Sequence, residues 1–320
     1  MNLVAATRVD PAFRADVLTG FRMRPRAIPA RWFYDRAGSE LFEKITELPE
    51  YYPTRVETAL LARYAPEIAA IVGPRRAVVE FGSGSSTKTP HVLEAVQPAA
   101  YVPIDISGEF LRESAAALAS DFPKLSILPV EADFMHPIVA PPEIANLKKL
   151  GFFPGSTIGN MVARTAVNLL RAMVETLGIG SMLLIGIDRI KDVDALIRAY
   201  DDQAGVTAAF NLNLLHRINR ELDADIPINA FRHKAVWNDA FARIEMHLEV
   251  TRDIAFRIDG ERFEMRAGET IHTENSHKYG PRDARLLLRA GAWTPLAEWT
   301  DEEDRFALIL AEAQPPGTAP

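Results

Sequence analysis

The chain has 320 residues, of which 48% are apolar and 25% charged, with a formal net charge of −7 and a pI near 5.6. This composition excludes a disordered or fibrous chain and is long enough for a large core or two unequal domains, while its acidic field repels phosphate and leaves no basic patch for a nucleic acid. With no cysteine, disulfides, thiolate nucleophiles and cysteine-ligated zinc are all removed from consideration.

The opening MNLVAATRVDPAFRADVLTG lacks the basic and apolar regions of a signal peptide, and no apolar run reaches the roughly 18 residues of a membrane span. A cytoplasmic protein without membrane contact is expected. The first 55 residues are aromatic and proline-punctuated, with no strand-helix alternation. From Arg76 the chain alternates: RAVVEFGSG as strand, SSTKTPHVLEAV as a helix start, AAYVPIDIS as strand, GEFLRESAAALASDF as helix and LSILPVEADF as strand. Then follow LGFFPGSTIGN as strand and turn, the amphipathic helix ARTAVNLLRAMVETL, and the fifth strand GSMLLIGIDRI. The alternation predicts an α/β fold, a doubly wound Rossmann-like sheet.

At Lys191 the regular pattern stops. DVDALIRAYDDQAGVTAAFNLNLLHRINREL reads as helical, Val236 to about Arg266 as antiparallel strand, PRDARLLLRAG as a last helix, and WTPLAEWTD with RFALILAEA as an edge hairpin around a charged turn. The tail AQPPGTAP reads as frayed. The predicted organisation is a nucleotide-binding-type domain at 56–190 plus 280–320, with an inserted α+β substrate-binding or lid domain at 1–55 plus 191–279.

The turn after the first strand, EFGSGSSTKT, carries the chemistry. Gly82 and Gly84 permit positive φ and close backbone approach at a helix N-terminus. A dinucleotide fingerprint needs a third glycine where Thr87 stands, which disfavours an oxidoreductase, and the phosphate-binding P-loop spacing also fails. What remains is Glu80 ahead of the glycines, Asp105 ending the second strand where ribose hydroxyls are gripped, and Asp133 ending the third, placed for an adenine amino group, with Phe134 beside it to stack. Three acids and no phosphate cradle suit a cationic nucleoside, S-adenosylmethionine.

The chain also resembles the S-adenosylmethionine-dependent histidine Nα-methyltransferases of ergothioneine biosynthesis, along WFYDRAGSELFEKITELPEYYPTR, EFGSGSSTKT, GSTIGN, RAYDDQAGVTAAFN, RIEMHL and IHTENSHKY. The resemblance implies a class I methyltransferase sheet, cofactor contacts at Gly82, Lys88, Asp105, Asp133 and Phe134, and trimethylation of histidine to hercynine. It implies an amino-acid pocket from Tyr51, Gly155, Asn160, Tyr200, Met246, Glu274 and Ser276, with Tyr34 and Asn160 at the reacting amine. Phenols serve a carboxylate without a full positive charge beside the sulfonium, while Glu274 and Ser276 match the two imidazole nitrogens. Tyr52 and Trp32 read as packing residues. Departures from the family pattern at Thr87, and at Asn275 and His277 beside Ser276, keep a tryptophan or tyrosine N-methyltransferase open, and a non-catalytic S-adenosylmethionine-binding protein is the rival of another class. A monomer acting on a small amino acid is expected. The seven histidines are scattered, His272 and His277 lack the spacing of a helical metal pair, and no metal is expected.

Overall fold

The computed structural model describes residues 9–84 and 86–315, so the readings of the first eight residues, of Ser85 and of the last five tail residues lie outside it. The chain divides into two compact units. One comprises Met1–Glu50, Val193–Asn238 and Ile244–Asn275; the other comprises Tyr51–Asp192, Asp239–Arg243 and Ser276–Pro320. The first boundary falls between Glu50 and Tyr51 rather than at the expected 55/56.

The larger unit is built on one twisted sheet. Its strands lie in the order Trp293–Thr300, Phe306–Ala313, Met182–Asp188, Lys149–Phe153, Ala77–Phe81, Ala100–Asp105, with Ser126–Ile127 and Val130–Glu131 at the far edge. Phe306–Ala313 is antiparallel to both its neighbours, Trp293–Thr300 and Met182–Asp188, and the remaining pairings of this sheet are parallel. That arrangement explains the sequence pattern. A parallel strand is covered on both faces, so AVVEF is buried at every position, Glu80 included. The helix Ala163–Leu177 turns Ala166, Leu169, Leu170, Met173 and Leu177 inward, a single apolar stripe, and stops at Gly178 with φ 90°. Trp293, fully buried at the open end of the edge hairpin, donates its indole N–H to Leu170 O at 2.9 Å.

Two local readings need correction. LSILPVEADF is not one strand: Pro129 has no N–H for the ladder, so pairing with Ala100–Asp105 breaks after Ile127 and resumes at Val130. It ends at Glu131, which leaves Asp133 in the following turn, where Oδ1 accepts the Met135 N–H at 2.9 Å. Residues 86–88 are not yet helical either; the helix is Thr89–Val96, with Pro90 in its first turn and Lys88 just outside. The reading also left the 21-residue helix Tyr52–Val72 unassigned, although Val56, Leu60, Leu61, Ile68 and Val72 face inward.

The smaller unit is α+β. Asp10 caps the helix Pro11–Arg22 by accepting from Ala12 N–H, and Asp35 caps Arg36–Thr46 by accepting from Gly38 N–H, each at 2.8 Å. Asp202 does the same for Val206–Glu221 through Val206 and Thr207. A sheet in the order Arg26–Ala27, Thr270–His277, Arg243–Val250, Phe231–Asn238 carries the inserted strands. The separate hairpin Ile254–Ile258 with Glu261–Met265 turns on Asp259-Gly260, both at positive φ (51° and 78°), the geometry that an Asp-Gly pair favours. No helix among the described residues is long and apolar enough to cross a membrane.

Candidate active site

The carboxyl ends of the first two parallel strands hold the glycine turn. Ile104 O accepts from Gly82 N–H at 2.8 Å and from Ser83 N–H at 3.1 Å, which brings the turn back over the second strand. Gly82 and Gly84 have φ of 72° and 49°. Asp105 then locks the turn: Oδ2 accepts the Gly84 N–H at 3.0 Å and Oδ1 accepts the Ser107 N–H at 2.9 Å. A carboxylate has about four acceptor positions, so two remain for hydroxyl donors. A Cβ on Gly82 would lie 3.2 Å from Phe134 Cε1, whereas nothing lies within 4 Å of one on Gly84. Bare backbone, an acceptor at the second strand and an aromatic edge fit an adenosyl group.

Below the turn lie two buried carboxylates. Glu57, on the helix Tyr52–Val72, is fully buried; its Oε2 is 2.5 Å from Lys88 Nζ, and both its oxygens accept from Gly155 N–H at 3.0 and 2.9 Å. Gly186 must be glycine, because a Cβ there would collide with this carboxylate. Lys88 and Gly155, assigned by the resemblance to cofactor and substrate, thus share one buried anion. Glu80 Oε2 accepts from Tyr101 OH at 2.6 Å and Thr89 Oγ1 at 2.7 Å. Burial pushes its pKa up to about 7, against the opposing pull of those hydroxyls and of Lys88. Glu80, read from the sequence as an acid for the cofactor, is enclosed and holds the helix start instead.

A second buried network surrounds Asp188 at the end of the fifth strand. It accepts from Tyr52 OH at 2.9 and 2.8 Å, from Lys191 Nζ at 2.5 Å and from Lys278 Nζ at 2.7 Å. Burial raises the Asp188 pKa, but the ammonium groups of Lys278 and Lys191 outweigh it and the net shift is downward. Lys191 is drawn down to about 8, chiefly by burial. Lys278 also donates to Ser276 Oγ at 2.8 Å. Since an ammonium can only donate, the Ser276 oxygen is the acceptor in this bond. Tyr52, read as packing, is a member of this network.

The turn that presents Asn160 is equally constrained. Gly155 and Ser156 both have positive φ (79° and 56°), and the 3-10 turn Thr157–Asn160 follows. The Asp188 N–H donates to Ser156 Oγ at 2.9 Å, and His277 Nδ1 donates to Gly159 O at 2.7 Å. A Cβ on Gly159 would approach His277 O to 2.7 Å, so GSTIGN tolerates no side chain there.

Gly82, Lys88, Asp105, Asp133 and Phe134 all belong to the larger unit, as do Tyr51, Gly155, Asn160 and Ser276. Tyr34, Tyr200, Met246 and Glu274 belong to the smaller. Tyr34 follows the turn Ala30–Phe33 and sits edge-on to Phe42 and Phe210, each at 5.8 Å. Tyr200 ends the helix Val193–Tyr200, its carbonyl accepting from His233 Nε2 at 2.8 Å. Met246 is buried on Arg243–Val250, and its carbonyl accepts from Thr273 Oγ1 at 3.0 Å. The sequence reading missed Glu57, Tyr101, Asp188, Lys191 and Lys278; Glu57 meets Lys88 and Gly155, Tyr101 meets Glu80, and Asp188 meets Tyr52 and Lys278, all distant along the chain.

Glu80 gives a pH signature. Its folded pKa lies above the unfolded value of 4.5, so its contribution to stability is complete below that value and is lost as pH rises through about 7. Glu80→Gln keeps an acceptor for Tyr101 and Thr89 but cannot ionise. The fall in melting temperature between about pH 5 and about pH 8 should therefore be smaller in Glu80→Gln than in the wild type; identical falls would show that Glu80 does not hold its proton.

The chain is similar in fold to a S-adenosylmethionine-dependent methyltransferase from Clostridium acetobutylicum, which superposes with a TM-score of 0.51 at 12% identity, covering 86% of this chain and 99% of that one. The histidine N-alpha-methyltransferase of Mycolicibacterium smegmatis is 40% identical over 316 residues, spanning 97% of this chain and 98% of its relative. Ergothioneine biosynthesis protein 1 of Neurospora crassa is 28% identical across 96% of this chain but only 36% of its own length. The family profile described as histidine-specific methyltransferase, SAM-dependent, matches residues 13–313. With that match running through the glycine turn, GSTIGN and the strand that bears Ser276, the chain belongs to the S-adenosylmethionine-dependent histidine-specific methyltransferases.

Proposed function

We propose that this protein methylates the α-amino group of L-histidine three times in succession, producing hercynine for ergothioneine assembly, and that it acts as a cytoplasmic monomer. The observation that carries the reading is the family match along residues 13–313. S-Adenosylmethionine, when bound, supplies a methyl carbon on a sulfonium. On this reading the bare backbone at Gly82 and the Phe134 ring hold the adenosyl group, with Asp105 accepting from ribose hydroxyls and Asp133 from the adenine amino group. Lys88 has three N–H donors, so pairing with Glu57 leaves donors for a carboxylate.

The substrate side follows from the same donor and acceptor rules. Tyr51 and Tyr200 give phenolic hydrogen bonds to the amino-acid carboxylate, beside the Gly155 turn. Asn160 accepts from the amine and thereby aims its lone pair. Glu274 accepts one imidazole N–H, and the Ser276 hydroxyl pairs with the other nitrogen. Met246 supplies the apolar wall. A methyl transfer moves positive charge from sulfur to nitrogen without creating much, so positioning carries most of the acceleration, up to ~7–11 kcal/mol. Tyr34 offers an aromatic face that favours an increasingly methylated cation, the physical reason for successive transfers.

Incubation with S-adenosylmethionine and each of the twenty amino acids, followed by mass spectrometry, should show histidine gaining three methyl groups. Arrest at the monomethyl product under excess cofactor, or preference for tryptophan or tyrosine, would overturn the reading. Loss of the charge-assisted imidazole contact, worth on the order of 1.5–3 kcal/mol, should raise the KM for histidine in Glu274→Ala by roughly 10–150-fold while cofactor affinity is retained. Equal loss of both would remove Glu274 from the substrate role.

A further inference from the structure

The inserted unit contains a cluster that the methyl-transfer chemistry does not use. Glu245 and His247 stand two residues apart on the strand Arg243–Val250 and so share one face, with Met246 turned to the other. His272, on the neighbouring strand Thr270–His277, stacks on His247 with ring centroids 4.8 Å apart and planes at 22°. One carboxylate oxygen and one imidazole nitrogen from each histidine all lie within 4.8 Å of one another, and Glu245 is buried while both histidines are half-buried. We propose that Glu245, His247 and His272 form a binding site for a divalent transition-metal ion of the zinc class.

The chemistry of the cluster favours a cation over a purely hydrogen-bonded arrangement. His272 Nε2 lies 3.0 Å from Glu274 O; a carbonyl only accepts, so Nε2 carries the proton and Nδ1 the lone pair. A ligand imidazole is characteristically held by a donation of this kind to a backbone carbonyl. Asn238 Nδ2 donates to Glu245 Oε1 at 2.8 Å, which orients the carboxylate in the same manner. His247 Nε2 is 3.1 Å from Glu245 Oε2, yet its Nδ1 is buried without a hydrogen-bond partner. The hydrogen bonds alone leave one ring nitrogen unsatisfied. An ion held by Nδ1 uses that lone pair while Nε2 keeps its proton and its bond to Glu245, so the ring stays neutral and no other reactant is needed.

Donor type and spacing select the metal. Two imidazoles and a carboxylate suit zinc, cobalt and nickel better than calcium or magnesium. A tetrahedral ion about 2.0–2.2 Å from each ligand sets the ligands about 3.3–3.6 Å apart, a contraction that side-chain rotation supplies. Three protein ligands leave a fourth position for water. The helical His-pair criterion used on the sequence could not see this site, because its ligands alternate along a strand and cross to the next one.

The test uses untagged, chelator-treated protein titrated with cobalt(II). One equivalent per chain should bind with the intense visible absorption of a four-coordinate ion and be displaced by zinc(II). The absorption should vanish in His272→Ala and in Glu245→Gln, and persist unchanged in His136→Ala, which lies in the other unit. A wild-type spectrum no stronger than that of the hydrated ion would overturn the site without recourse to any variant. So would an absorption that survives in folded His272→Ala.

Discussion

A carboxylate removed from water has to be met by cations and N–H donors, and the location of those partners then ceases to be adjustable. Glu57 imposes that constraint on the larger unit. It lies on the helix Tyr52–Val72, but its partners come from the loop after the first strand, through Lys88, and from the loop after the fourth, through Gly155. Gly186 on the fifth strand provides the room. One buried charge therefore ties together the two turns at the carboxyl ends of the sheet, where an open α/β fold binds its ligands.

The same logic recurs at Asp188 and Glu80, with different outcomes. Asp188 has two ammonium partners and stays ionised, so it can fix Lys278 and through it the hydrogen-bonding sense of Ser276. Glu80 receives only hydroxyls directly, and burial prevails. Two acids buried to the same degree thus serve differently: one orients a polar side chain by charge, while the other holds the first helical residue after the glycine turn as a carboxyl group whose pKa burial lifts to about 7.

Most of the larger sheet was legible because covered strands must be apolar throughout, as in AVVEF and MLLIGID, and because Gly82 and Gly84 have few uses other than a tight turn. The strand break at Pro129 followed from local chemistry that the reading passed over. The helix Tyr52–Val72 was harder to see, since Pro66 interrupts its pattern and Glu57 looks like any polar helix position until its partners are known. Pairs such as Asp188 with Lys278 depend on a meeting of distant segments that no local period records. Tyr34 and Met246 look like core residues in isolation, and the sequence singled them out only through the family likeness.

The proposed function requires an adenosyl sulfonium docked on the glycine turn with its methyl directed at the amine of a bound histidine. A crystal structure with S-adenosylhomocysteine and histidine should show adenosine over Gly82 with ribose hydroxyls on the Asp105 carboxylate, and the imidazole touching Glu274 and Ser276. Adenosine bound anywhere else, or a histidine whose ring touches neither residue, would contradict it.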